Sequence, residues 1–141
     1  MARTWRKKLP DRETVERLDR KLAGISCGSR EDEPGCRFQD LSEPEQRELL
    51  NWVEWNLEPR REINQHHSSY GLKHMAEYDL ESGYITNLQF KVAMELCGYH
   101  GEDGALNPHY AISQRAVNRI ANRHERSKSF KTMPKPLKDA L

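Results

Sequence analysis

His66–Ser113 reads HHSSYGLKHMAEYDLESGYITNLQFKVAMELCGYHGEDGALNPHYAIS, and the fold turns on how that stretch divides. Its second half is decisive. Thr86 and Gln89 stand at capping-box spacing, where hydroxyl and carboxamide each take a backbone N–H left without a partner at a helix start, so a helix begins at Asn87. Phe90, Ala93, Met94 and Cys97 then recur at i, i+3, i+4 and i+7, one buried helical face. Gly98 follows as a left-handed C-cap, and Tyr99 beyond it can pack back on the helix. Upstream, Ser68 or Ser69 can cap a preceding helix with Leu72, Met75, Ala76 and Leu80 inward and Gly83 at its end. Downstream, residues 100–108 form a glycine-rich loop, HYAI alternates as a short strand, and Ser113 caps a last helix. That helix has Val117, Ile120 and Ala121 inside, with Arg115, Arg119, Arg123 and Arg126 outside.

Working outward, Ser42 and Glu45 form a second capping box. The helix they open carries Leu49, Leu50, Val53 and Leu57 on one stripe, with Trp52 and Trp55 flanking it as packing residues, and Pro59 stops it. Asp11 caps a first helix bearing Val15, Leu18 and Leu22, stopped by Gly24. ISCGSREDEPGCRFQ between these helices has the glycines, proline and charge of a linker. The chain thus divides into a basic arm (1–10, with Trp5), a single helical domain (11–126) and a basic tail (127–141). The expected fold is mainly α: about five helices with a winged helix-turn-helix-like centre and a short strand or hairpin.

The 141 residues carry a net charge of +1, with 35% hydrophobic and 32% charged residues and a mean hydropathy of −0.98. Such a polar chain implies a small core under strongly amphipathic helices. Charge is segregated: residues 1–24 hold eight basic and four acidic groups, residues 31–60 three and nine, and residues 111–141 eight and two. A polyanion would meet the ends rather than the middle. Cys27, Cys36 and Cys97 make an odd, sparse set without a CxxC pair, which fits reduced thiols better than a disulfide framework. No apolar run approaches the roughly 20 residues of a membrane span, and MARTWRKKLP lacks a signal peptide's apolar segment. The expected location is the cytoplasm, without a membrane partner.

Chemistry-bearing patterns are weak. His66, His67, His74, Cys97 and His100 invite a metal reading, but they lack the tight paired spacings of zinc sites. Cys97 lies on an apolar stripe, where cysteine acts as a small hydrophobe. His74 and Glu77 are three apart, a spacing common on solvated helices. No nucleophile elbow, P-loop or dinucleotide fingerprint is present. Neither an enzyme nor a cofactor or metal site is expected.

The order of elements is more informative. A short helix, a turn, a second capped helix, a loop and a strand match a winged helix-turn-helix, whose second helix enters the major groove while the wing touches phosphate. On that reading Asn87, Gln89 and Lys91 lie on the exposed face of the groove helix, with Lys73 nearby. Thr86 and the helix N-terminus meet phosphate, and Arg115, Arg119 and Arg123 form a second phosphate-facing row. The bland alternative is that Thr86 and Gln89 are only a cap.

HHSSYGLKH, GYITNLQFKVAMELCGY and NPHYAIS together resemble a group of small phage and prophage proteins sharing the pattern S-Y-x-L-K-H … G-x-Y-x-T-N-x-Q-F-K-x-A-M-x-x-x-G-[YF]. The similarity covers about residues 38–118, since DLSEPEQRELLNWVEWNL is similar in kind to the preceding helix of that group. It implies a mobile-element setting in a bacterial cytoplasm and assigns no activity. Two functions follow as expectations. The first is non-enzymatic nucleic-acid binding by Lys73, Thr86, Asn87, Gln89, Lys91, Arg115, Arg119 and Arg123. The alternative is an anti-CRISPR-like module or nucleic-acid mimic that binds a host or defence protein through the acidic run from Glu31 to Glu58.

Overall fold

A computed structural model describes residues 8–23 and 35–132. Trp5, Cys27, the cap proposed at Gly24 and most of the linker and tail lie outside them. Five helices and two strands follow in the order α1 (Arg12–Leu22), a 3₁₀ turn (Phe38–Asp40), α2 (Glu43–Asn56), β1 (Pro59–Ser68), α3 (Ser69–Asp79), α4 (Asn87–Leu96), β2 (His109–Ile112) and α5 (Gln114–Thr132). The protein is mainly α, with one two-stranded antiparallel sheet among the described residues.

The predicted caps form. Asp11 accepts from the Thr14 N–H at 2.7 Å, Ser42 pairs with Glu45, and Thr86 pairs with Gln89. Each satisfies donors that the first turn of a helix leaves unpaired. Gly98 takes φ +90°, and the Tyr99 N–H returns to Met94 O at 2.9 Å, closing α4 as expected.

The centre of the molecule differs from the expected one. Every residue from Leu88 to Met94 is buried, and α4 is packed by α1, α2, α3 and the 3₁₀ turn. A helix covered all round is a core element. It therefore has no exposed face to lay in a groove. Phe38, Leu49, Leu50, Val53, Leu72, Ala76, Ile85, Leu88, Phe90 and Met94 make up much of the surrounding core. Trp52 is buried as expected, whereas Trp55 is 41% exposed. On α5 the inward alanine is Ala116 rather than Ala121.

The strand partner of HYAI is not a neighbouring wing but β1, more than forty residues upstream. Pro59 lies opposite Ile112, Asn64 opposite Tyr110 and Ser68 opposite His109, with register shifts between these pairs. β1 therefore runs longer than its partner, and Arg60–Ile63 bulge out of the ladder. Arg60 stiffens this bulge by donating to the carbonyls of Glu62 and Ile63 at 2.8 and 3.2 Å. Gly101 is needed for close approach: a Cβ there would lie 2.4 Å from Pro108 Cβ. Finally, α5 continues through Ser127–Thr132, where the sequence had suggested the tail.

Candidate functional site

The polar residues assigned to base reading and, at Thr86, to phosphate contact hold the segments around α4 instead. Thr86 Oγ1 donates to Cys36 O at 2.6 Å, and Gln89 Nε2 donates to the carbonyls of Gly35 and Arg37 at 3.2 and 3.1 Å. Asn87 accepts from Ser69 Oγ at 2.9 Å, and its Nδ2 donates to Leu106 O and Asn107 Oδ1. Lys91, 1% exposed, sends Nζ to the carbonyls of Leu22 and Leu106 at 3.3 and 3.2 Å. The expectation that Gln89 and Lys91 face a ligand is thus corrected. Their donors are needed by backbone carbonyls that packing removes from water.

Lys73 is also buried, at 5% exposure. Its ammonium pairs with Glu77 at 3.1 Å and lies 5.3 and 5.5 Å from the ring centres of Tyr70 and Tyr84, within cation–π range. Glu77 also holds His74 Nδ1 at 2.9 Å and accepts from the Ile85 N–H at 3.1 Å. Burial alone would raise the Glu77 carboxyl. The Ile85 N–H and the Lys73 ammonium outweigh it and hold the group below its ordinary value. The pair thus lies between two exposed rings, Tyr70 at 52% and Tyr84 at 69% exposure.

Of the α5 arginines, Arg123 stays at the surface but is drawn across to Asp79 and Asn56. Asp79 is a junction, taking Trp52 Nε1 at 2.8 Å and lying 3.0 Å from His124 Nε2, whose ring is 4.1 Å from that of Tyr78. It ties α2, α3 and α5 together, so Arg123 is a structural residue and not part of an outward row. Arg119 pairs with Glu58 at the surface. Among the described residues Arg115 and Arg126 have no ion-pair partner.

At about 100° per residue, Arg115, Asn118, Arg119, Asn122 and Arg126 fall within about 100° of arc on α5, and all five are exposed. The stripe carries no carboxylate of its own. The Arg60–Ile63 bulge leaves the ladder opposite Ile112 and rejoins at Asn64, which bonds Gln114. Asn118, Asn122 and Arg126 were absent from the expected site. Their helical spacing relative to Arg115 was visible; that Arg123 leaves the row for Asp79 depends on how α3 packs beside α5, which was not.

Among the described residues no cluster of three or more His, Cys, Asp or Glu side chains has metal-binding geometry. His74 is engaged by Glu77, His100 by Glu95, and Cys97 Sγ lies 3.8 Å from Leu50 O. No described helix is long and apolar enough to cross a membrane. Compared with protein-family models, curated proteins and solved structures, the chain matches none.

Proposed function

We propose that this is a non-enzymatic nucleic-acid-binding protein of a phage or mobile element, working in the bacterial cytoplasm through α5 rather than α4. The observation that carries this reading is the outward stripe of α5, on which Arg115 and Arg126 have no ion-pair partner among the described residues and Arg119 lies between them in a surface pair with Glu58. Arginine forks suit phosphate geometry, and an unpaired guanidinium can neutralise a phosphate and release its counterion without first breaking an internal pair.

Anisotropy of a labelled DNA duplex, titrated with the full chain at several salt concentrations, tests it. Affinity falls linearly on a log–log plot as salt rises. Arg115→Gln with Arg126→Gln weakens binding to all sequences and flattens the slope by about 1.8, from about 0.9 per lost phosphate contact. No binding at low salt to the duplex, to single-stranded DNA or to RNA rejects the reading.

The exposed tyrosines favour a second reading, a module that binds a host or defence protein. Exposed aromatics around a rigid centre are the usual anchors of protein interfaces. Here Tyr70, His74 and Tyr84 surround the Lys73–Glu77 pair. On this reading Tyr70→Ser with Tyr84→Ser abolishes a complex with a purified host nuclease and leaves duplex affinity unchanged. A wild-type protein that forms no such complex counts against it.

A further inference from the structure

Asn118 lies within the arginine stripe of α5, and its carboxamide takes an exposed i, i+4 hydrogen bond from a residue that is itself anchored to a buried one. Its Oδ1 accepts from Gln114 Nε2 at 2.9 Å, and Gln114 Oε1 accepts from Asn64 Nδ2 at 3.0 Å. Asn64 is fully buried. Its Nδ2 also donates to Ile112 O at 3.3 Å, and its Oδ1 accepts from the His66 N–H at 2.9 Å. The irregular β1–β2 ladder explains Asn64, which satisfies backbone groups that the register shifts leave unpaired. It does not explain the outer end of the chain.

Three carboxamides in series fix the donor and acceptor ends of the last one. Asn118 therefore presents an Nδ2 donor and the remaining lone pair of Oδ1 in a set orientation. Freedom removed in the free protein is not lost again on binding.

We propose that Asn118 reads the adenine of an A·T pair in the major groove of duplex DNA, with Gln114 and Asn64 as its positioning residues. The inference rests on the nucleic-acid reading of α5. Adenine offers an N7 acceptor and an N6 donor on its major-groove edge, and one carboxamide can satisfy both. Arg115 precedes Asn118 on the stripe and Arg126 follows it, so phosphate contacts on both sides seat the helix while the carboxamide reads the base. From Arg115 to Arg126 the stripe runs about 16 Å along the helix, and the groove, about 12 Å wide, admits an α-helix. No described residue of α5 beyond His124 is buried, so the second half of the stripe stands clear of the body. Asn122, one turn on, shares the face without the internal support and serves as an adaptable neighbour.

Selection from a random duplex library with the full chain, followed by anisotropy on the selected site and its single-pair variants, tests this. The wild type selects an A·T pair at one position and loses at least about fivefold in affinity when that pair is changed. Asn118→Ala removes that discrimination and keeps the salt slope. Gln114→Ala weakens the discrimination with the slope unchanged, which a merely structural role would not produce. An Asn118→Ala protein that still discriminates overturns the proposal. Equal wild-type binding to all duplexes, or binding to single strands or RNA alone, overturns it too while leaving the phosphate reading standing. Absence of any nucleic-acid binding overturns both.

Discussion

At the scale of single residues, α4 shows how far a polar side chain's role depends on its surroundings. Lys91 sits in a row that reads T-N-L-Q-F-K, where its type and spacing suit a groove-facing helix equally well. Only the packing of α1 and the 100–108 loop against it reveals that its ammonium serves the Leu22 and Leu106 carbonyls. Lys91→Met keeps the stem and removes the donors, and it should destabilise the fold by about 1–3 kcal/mol, the usual cost of buried groups left unpaired. Urea unfolding measures this. A change within about 0.5 kcal/mol, typical of a surface lysine, would mean that the ammonium is not needed there. Glu77 makes a similar point for α3. Its nearness to His74 was visible as an i, i+3 pair, but its bond to the Ile85 N–H crosses the turn between helices. Such a contact has no local sequence signal.

At the scale of elements, helices with strong local signals were legible and their relations were not. The capping boxes at Ser42 and Thr86 and the cap at Asp11 are written in neighbouring residues, and each helix begins where they indicate. β1 was illegible because PRREINQHHS neither alternates nor consists of strand formers, and it is held by an irregular ladder to a distant partner. The junction at Asp79 was equally hidden, since Trp52, Arg123 and His124 reach it from two other helices. Burial would raise that carboxyl, but the Trp52 indole, His124 and Arg123 outweigh it and hold its pKa below the ordinary 3.8. A depressed native pKa means the group's contribution is complete above the ordinary value and is lost as pH falls towards the native one. Asp79→Asn should therefore cost about 1.5–3 kcal/mol near neutral pH, as charge-assisted bonds do. The gap from wild type should close between about pH 5 and pH 2. Denaturant unfolding across that range tests the sign, and a gap that stays constant or widens on acidification would contradict it.

At the scale of the whole molecule, the fold brings the charge segregation of the sequence into partial register. The acidic middle and the basic end were both readable as composition, but nothing local announced that Glu58, just past α2, would lie against Arg119 of α5. This contact, with Arg123 drawn to Asp79, explains why three arginines of one expected row have three different fates. Arg115 stays open, Arg119 is paired at the surface, and Arg123 is structural. Glu58 and Arg119 are both more than half exposed at the side chain, so their pair contributes little to folding, on the order of 0–1 kcal/mol. Its larger effect is on the field of the stripe, where a carboxylate stands at the edge of the surface proposed to meet phosphate. Glu58→Gln frees Arg119 and removes that repulsion. The variant should bind duplex DNA severalfold more tightly than wild type at low salt, with a salt slope steeper by about 0.9 for one added phosphate contact. The advantage should vanish as salt is raised, because it is electrostatic in origin. Thermal unfolding of the two proteins should nearly coincide, which separates a change in binding from a change in fold. Unchanged affinity with unchanged stability would place the contact surface elsewhere than on α5, and weaker binding would mean that Glu58 is needed to hold Arg119 in place rather than opposing the phosphate.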